Sequence, residues 1–170
     1  MRSSLVLTIV GPDRPGIVET IAATLAAHGG NWEQSRMAQL AGQFAGILRI
    51  SAPREQMPQL QAALEKLAER GLRVVSAHGS EAERPPARNL RLELTGTDRE
   101  GIVREIAGAL AARQVNVEEL ETSHESAPMA GNALFQARAL LRVPATVDMG
   151  ELRTTLEAIG DDLMVDLSLE

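Results

Sequence analysis

Asp13, Arg14, Gly16, Ile17 and Val18 stand together in the stretch GPDRPGIVETIAATLAAHGGNWE, from Gly11 to Glu33, and they stand together again in GTDREGIVREIAGALAARQVNVE, from Gly96 to Glu118. The two stretches align without a gap at an offset of 85 residues, and Asn31 recurs as Asn116. A segment written twice normally means a structural unit built twice. The kept residue types permit a definite chemistry. Free backbone N–H groups at the start of a helix attract a carboxylate. An aspartate beside them, with an asparagine further on, would receive an ammonium group. A free amino acid carries both charges. The competing reading is purely structural. Asp13 or Asp98 caps the helix, Pro15 suits a first turn that needs no N–H, and Glu100 suits the positive end of the helix dipole. Gly16 and Gly101 would then allow close approach of a backbone or a ligand. A satisfied cap would repel a nearby carboxylate ligand, so the two readings compete.

Other chemistry is poorly supported. The chain has 170 residues and no cysteine, which removes disulfides, thiolate metal sites and cysteine nucleophiles. His28, His78 and His124 are far apart in sequence. His28 falls at a helix end, His78 leads into a linker and His124 lies in a long hairpin, so structural or solvated roles outweigh metal binding. No zinc-protease helix, nucleophile elbow or phosphate loop occurs. Adjacent acids such as Glu118-Glu119 and Asp161-Asp162 read as solvated charge. No cofactor is implied, and the chain reads as a non-enzyme. The formal net charge is −6, with basic residues scattered among acidic ones. Trp32, Phe44 and Phe135 are the whole aromatic set. Direct nucleic-acid binding is therefore disfavoured. No apolar run approaches a membrane span and the N-terminus lacks a signal peptide's long apolar core, so a soluble, cytoplasmic protein is expected.

The elements that must position the two loops follow from periodicity. Leu5, Leu7 and Ile9 alternate before the first loop, as Leu90, Leu92 and Leu94 do before the second. Period two marks a strand with one buried face. Ile17, Val18, Ile21, Ala22 and Leu25 form one helical stripe, repeated by Ile102, Val103, Ile106, Ala107 and Leu110. Gly29-Gly30 ends the first helix, while Gln114-Val115 stands in its place in the second copy. Strands follow from Asn31 and over Phe44 to Ser51, with Phe135 to Leu141 as the later counterpart. There the offset has grown to 91 (Phe44 to Phe135), which places about six extra residues within SHESAPMAGNA, a longer and mobile hairpin. A second helix carries Met57, Leu60, Leu64 and Leu67, matched by Met149, Leu152, Leu156 and Ile159 at the same spacing. Last strands run over LRVVSA and LMVDLSL. Each unit reads β-α-β-β-α-β. Unit 1 spans 1–78, a polar, Pro-rich linker spans 79–88, and unit 2 spans 89–170.

The fold expected is α+β: two ferredoxin-like units, each a four-stranded antiparallel sheet with helices on one face. One helix layer leaves the other sheet face open. Val6, Thr8 and Val10 are fairly apolar for a wet surface, so the two units are expected to pack together and the chain to form a homodimer. The RNA-recognition motif shares this topology, but the strands here lack its aromatic platform. Trp32 replaces Val117 of the second copy and marks either a pocket, an interface or ordinary strand packing.

The D-R-x-G-I-V loop, the helix behind it and the following Asn resemble the ACT domain, a small amino-acid-sensing module. The resemblance covers nearly the whole chain. Two such units with almost nothing else resemble the family of glycine-cleavage repressors. The resemblance implies regulatory ligand binding at Asp13, Arg14, Pro15, Gly16, Ile17 and Asn31, and at Asp98, Arg99, Glu100, Gly101, Ile102 and Asn116. It implies a small amino acid as ligand, glycine by analogy. Since the charge and motifs do not suit an operator, the partner implied is a DNA-binding protein such as a transcription factor. A feedback subunit for a metabolic enzyme is the alternative. Glu100 would disfavour a carboxylate, which points to a degenerate second site.

Overall fold

The computed structural model describes residues 1–79, 85–126, 133–163 and 165–169. The chain divides into two compact units, Met1–Ala82 and Glu83–Glu170.

In the first unit, β1 (Arg2–Pro12) leads through the Asp13 loop into α1 (Ile17–Ala27). Then come β2 (Asn31–Leu40), β3 (Gln43–Pro53), α2 (Met57–Glu65) and β4 (Arg73–His78). The sheet order is β2-β3-β1-β4, and every pair is antiparallel. The alternation read from the sequence is realised in this sheet. Leu5, Leu7 and Ile9 are at most 1% exposed and join Leu48 and Ile50 from β3. Ile17, Ile21 and Leu25 of α1 and Met57, Leu60 and Leu64 of α2 close the same core. Both helices therefore cover one face. Burial of that many aliphatic side chains is the main stabilising term, at about 1.5–3 kcal/mol for each Leu or Ile. Trp32 and Met37 pack on the edge of this core.

The second unit repeats the plan with β5 (Ala87–Thr97), α3 (Ile102–Ala112), β6 (Asn116–Ser126), β7 (Ala133–Pro144), α4 (Met149–Leu163) and β8 (Val165–Leu169). Its order is β6-β7-β5-β8. Leu92, Leu94, Ile102, Ile106, Leu110, Leu141, Leu152 and Leu156 form its core. The two units are α+β and ferredoxin-like, as the patterning implies.

Local details differ from expectation. Strand β6 runs on to Ser126, so His124 lies in a paired strand rather than in a long hairpin. Residues 127–132 of that hairpin lie outside the described residues, as do 80–84 of the linker. Arg88, expected in the linker, is already in β5. The first helix ends on Gly29 at φ 64, and the second ends on Gln114 at φ 59. The second copy thus keeps the left-handed stop without the glycine. In both units the strand after the first helix carries a bulge at the same place, between Trp32 and Gln34 and between Val117 and Glu119. The repeated acid of each motif, Glu33 or Glu118, sits at this bulge, where the register steps over it. Glu33 turns its carboxylate to Arg49 Nε at 3.1 Å.

The sheet faces away from the helices differ between the units. In the first, Thr8 of β1 stands between Ile47 of β3 and Val75 of β4 in register. Ile47 and Val75 are 56% and 58% exposed. At the matching place in the second unit, Glu93 faces Arg138, whose Nε lies 3.6 Å from the carboxylate.

Candidate functional site

The repeated loops sit at the end of the first strand of each unit, directly before the first helix. Their geometry decides between capping and ligand binding. The N-cap residue of α1 is Gly16, at φ 88, and that of α3 is Gly101, at φ 97; neither helix start has a side-chain cap. Asp13 and Asp98 lie three residues too early to cap. This corrects the capping expectation. The glycines are also explained differently from expectation. A Cβ on Gly16 would meet nothing within 4 Å, so the residue is needed for its left-handed backbone and not for close approach.

The first bond of α1 runs from Thr20 N–H to the Gly16 carbonyl at 2.9 Å. The N–H groups of Ile17, Val18 and Glu19 therefore have no partner within the helix. Asp13 is exposed, and no described residue holds its carboxylate. Its backbone N–H donates to the Gly42 carbonyl at 2.9 Å, which ties the loop to the β2–β3 turn. Arg14 donates from Nη2 to the carbonyl of Arg70, at the end of the second helical segment. That bond braces the loop and satisfies a terminal carbonyl. Pro15 is exposed, while Ile17 is buried in the core at 3% exposure. Asp13, Arg14, Gly16, Glu19, Ala22 and Phe44 are among the residues bordering an open groove.

The second loop is built from the same backbone with different charges. Asp98 N–H donates to the Ala133 carbonyl at 2.9 Å, repeating the tie of Asp13. Asp98 Oδ2 lies 3.0 Å from Nε2 of His124. Arg99 turns to Glu105 Oε1 at 3.4 Å instead of bracing the second helix. Glu105 takes the place of Thr20, and its carboxylate oxygen leans to 3.6 Å from where a Cβ on Gly101 would be. Glu100 and Glu105 stand at the start of α3 together with Arg99 and Arg104, while α1 carries Glu19 in its own first turn. Ile102 is 2% exposed and belongs to the core, like Ile17. His124 is the one histidine the sequence placed wrongly. Its counterpart is Gln39, which occupies the same register opposite Phe44 as His124 does opposite Phe135.

Asn31 and Asn116 do not join their own loops. Asn31 begins β2 and pairs with Ser51, which pairs in turn with Ser4 of β1. Asp13 follows Pro12 at the opposite end of β1. Nine residues of strand separate the two levels, about 30 Å at the usual rise. Asn116 pairs with Arg142, and Arg142 with Asn89, nine residues before Asp98. No amino acid spans that length. The expectation that Asp and Asn of one unit receive a single ammonium group is therefore corrected.

Residues 3–75, nearly all of the first unit, match the family model of the ACT domain. The first unit is an ACT domain. Its second unit has the same strand order and the same loop-to-helix geometry. The chain is 27% identical over 161 residues to the glycine cleavage system transcriptional repressor of Escherichia coli (strain K12), covering 94% of this chain and 85% of that relative. A protein of unknown function from Galdieria sulphuraria has a crystal structure that superposes with a TM-score of 0.91, at 34% identity over 100% of this chain and 98% of that one. A crystal structure provisionally named a glycine cleavage system transcriptional repressor superposes with a TM-score of 0.69 at 22% identity, covering 100% of this chain and 97% of that one, which bears on fold alone. These matches run along both units of the chain. Among the described residues no helix is long and apolar enough to cross a membrane, and no group of three or more His, Cys, Asp or Glu is placed to hold a metal.

Proposed function

We propose that this chain is a non-catalytic amino-acid sensor that regulates transcription through a DNA-binding protein partner. The observation that carries this reading is the match along 94% of the chain to a glycine cleavage system transcriptional repressor. The loop geometry supports it. At α1 the uncapped helix start offers N–H donors to a carboxylate, and the free Asp13 carboxylate stands beside it for an ammonium group. A small zwitterion such as glycine suits that pair of groups. The first loop is the better site for it, because the Asp13 carboxylate is free while Asp98 already meets His124 at 3.0 Å. Arg14 and Arg99 position the loops; Ile17 and Ile102 anchor them from the core. Asn31 and Asn116 act at a loop only when another molecule of the chain brings them there.

Ligand binding to the loop would change the chain's affinity for its protein partner, and the coupling is reciprocal. The net charge of −6 favours a protein contact over a direct grip on DNA. A homodimer is part of this reading. The row Ile47–Thr8–Val75 is apolar at both ends and centred on Thr8, so it matches itself under a two-fold rotation. The test is a thermal-shift scan against the twenty amino acids at millimolar concentration, paired with a mobility-shift assay on operator DNA. Stabilisation by glycine, with no DNA shift by the chain alone, is expected. Stabilisation by no amino acid, or an operator shift by the purified chain, contradicts the proposal.

A further inference from the structure

We infer that the open edge of the second sheet, strand β6, takes up an extended segment of the protein partner in which basic and apolar residues alternate. This rests on the proposal that the chain acts through a DNA-binding protein, and it names the surface and the chemistry of that contact. Strand β6 is the edge of its sheet and pairs with β7 alone. From Glu119 to Ser126 the pairing with β7 runs without a break. The open side of such a strand presents backbone N–H and C=O groups with which another strand can pair.

The side chains along this edge fall into two rows, because successive residues of a strand point to opposite faces. Leu120 pairs with Ala139, a core residue, and so lies on the helix side of the sheet. It is 53% exposed, and Val103 of α3 is 43% exposed; with Ala107, also exposed, they border one apolar strip. Glu119 and Glu121 stand on the other face, opposite Leu140 and Arg138, and both are exposed. Arg138 turns its Nε to Glu93 on β5, 3.6 Å away. The strand as a whole, NVEELETSHES, holds four glutamates and no Lys or Arg. Its counterpart β2, NWEQSRMAQL, holds one glutamate and one arginine. Glutamates on an edge guard it against a second copy of itself, since two such edges set acid against acid. Guarding alone does not account for Leu120, a large apolar side chain left half exposed between two of them. An added strand of alternating character meets both rows at once. Its apolar residues lie across Leu120, Val103 and Ala107, and its basic residues reach Glu119 and Glu121. A DNA-binding protein is a source of such a segment, because its surface carries surplus Lys and Arg. An acidic strand is refused by the same glutamates.

The test uses the full chain and a dye-labelled synthetic peptide, Lys-Val-Lys-Leu-Lys-Val-Lys, read by fluorescence anisotropy. A block peptide of the same composition, Lys-Lys-Lys-Lys-Val-Leu-Val, is the control. The alternating peptide is expected to bind at least about tenfold more tightly than the block peptide, because it alone matches both rows. Glu119→Lys/Glu121→Lys is expected to weaken it by about tenfold or more, since two attractions become repulsions. Leu120→Ser is expected to weaken it by about fivefold through lost apolar contact. Should the Lys variant fail to fold, Glu119→Gln/Glu121→Gln removes the same charges and is expected to weaken binding by about threefold or more. Equal binding of the two peptides, or binding unchanged in these variants, overturns the inference. So does a failure of the alternating peptide to bind while the chain alone leaves operator DNA unshifted, a result that keeps the partner reading standing. An operator shift by the chain alone overturns the partner reading itself.

Discussion

Replacing Asp13 with alanine separates the two roles proposed for the repeated loop. Were Asp13 a helix cap, its loss would cost about 1 kcal/mol. Spread over an 82-residue unit, Met1–Ala82, that would lower the melting temperature by about 4–8 °C. The geometry gives a smaller number. Gly16 holds the N-cap position with no side-chain bond, and Asp13 is exposed with no described partner for its carboxylate. The bond that ties the loop to Gly42 uses the backbone N–H of residue 13, which alanine retains. A surface change of this kind costs within about 0.5 kcal/mol. The first unfolding transition should therefore move by no more than about 2–4 °C. Calorimetric melting of wild type and Asp13→Ala without ligand measures this directly. The same pair melted with saturating glycine should differ more, because the variant lacks the ammonium acceptor. A loss above about 1 kcal/mol without ligand would show that the carboxylate holds the loop and is not free for a ligand.

Three further outcomes follow from the backbone and the sheet. Gln114→Gly should stabilise the second unit by about 1 kcal/mol, since Gln114 occupies a left-handed position at φ 59; urea denaturation that shows no gain would contradict this. Gly11→Ala should destabilise the first unit by about 1–3 kcal/mol, because its Cβ would lie 2.3 Å from the Gly71 carbonyl oxygen; a neutral result in the same assay would mean that the chain gives way there at no cost. Ile47→Arg should yield a monomer in light scattering at micromolar concentration while the fold persists; an unchanged dimer would place the self-association surface elsewhere.

The fold was legible because each element carries its period plainly. Leu5, Leu7 and Ile9 alternate, Ile17, Ile21 and Leu25 return every helical turn, and the repeat states each pattern twice. All of these residues are buried. The site was less legible, for physical reasons. Asp before a helix reads as a cap, and only the φ of 88 at Gly16 shows the helix starting three residues later. Asn31 looks close to Asp13 because a helix hides its own length in sequence: the chain leaves one end of the sheet and returns at the other. His124 was assigned to a hairpin because six added residues obscured where β6 ends. The exchange of Trp32 for Val117 was visible as a mark of a pocket, an interface or packing. Register was needed to see that Met37, opposite Gly46, joins Trp32 on the first core.

The repeated strand-to-helix loop is proposed here as a sensor for small amino acids. Backbone amide NMR of the full chain during titration with glycine tests it residue by residue. Saturable shifts are expected at Gly16, Ile17, Val18 and Glu19, with Asp13 beside them and much smaller changes at Gly101 and Ile102. Shifts confined to other parts of the chain, or none at millimolar glycine, would contradict it.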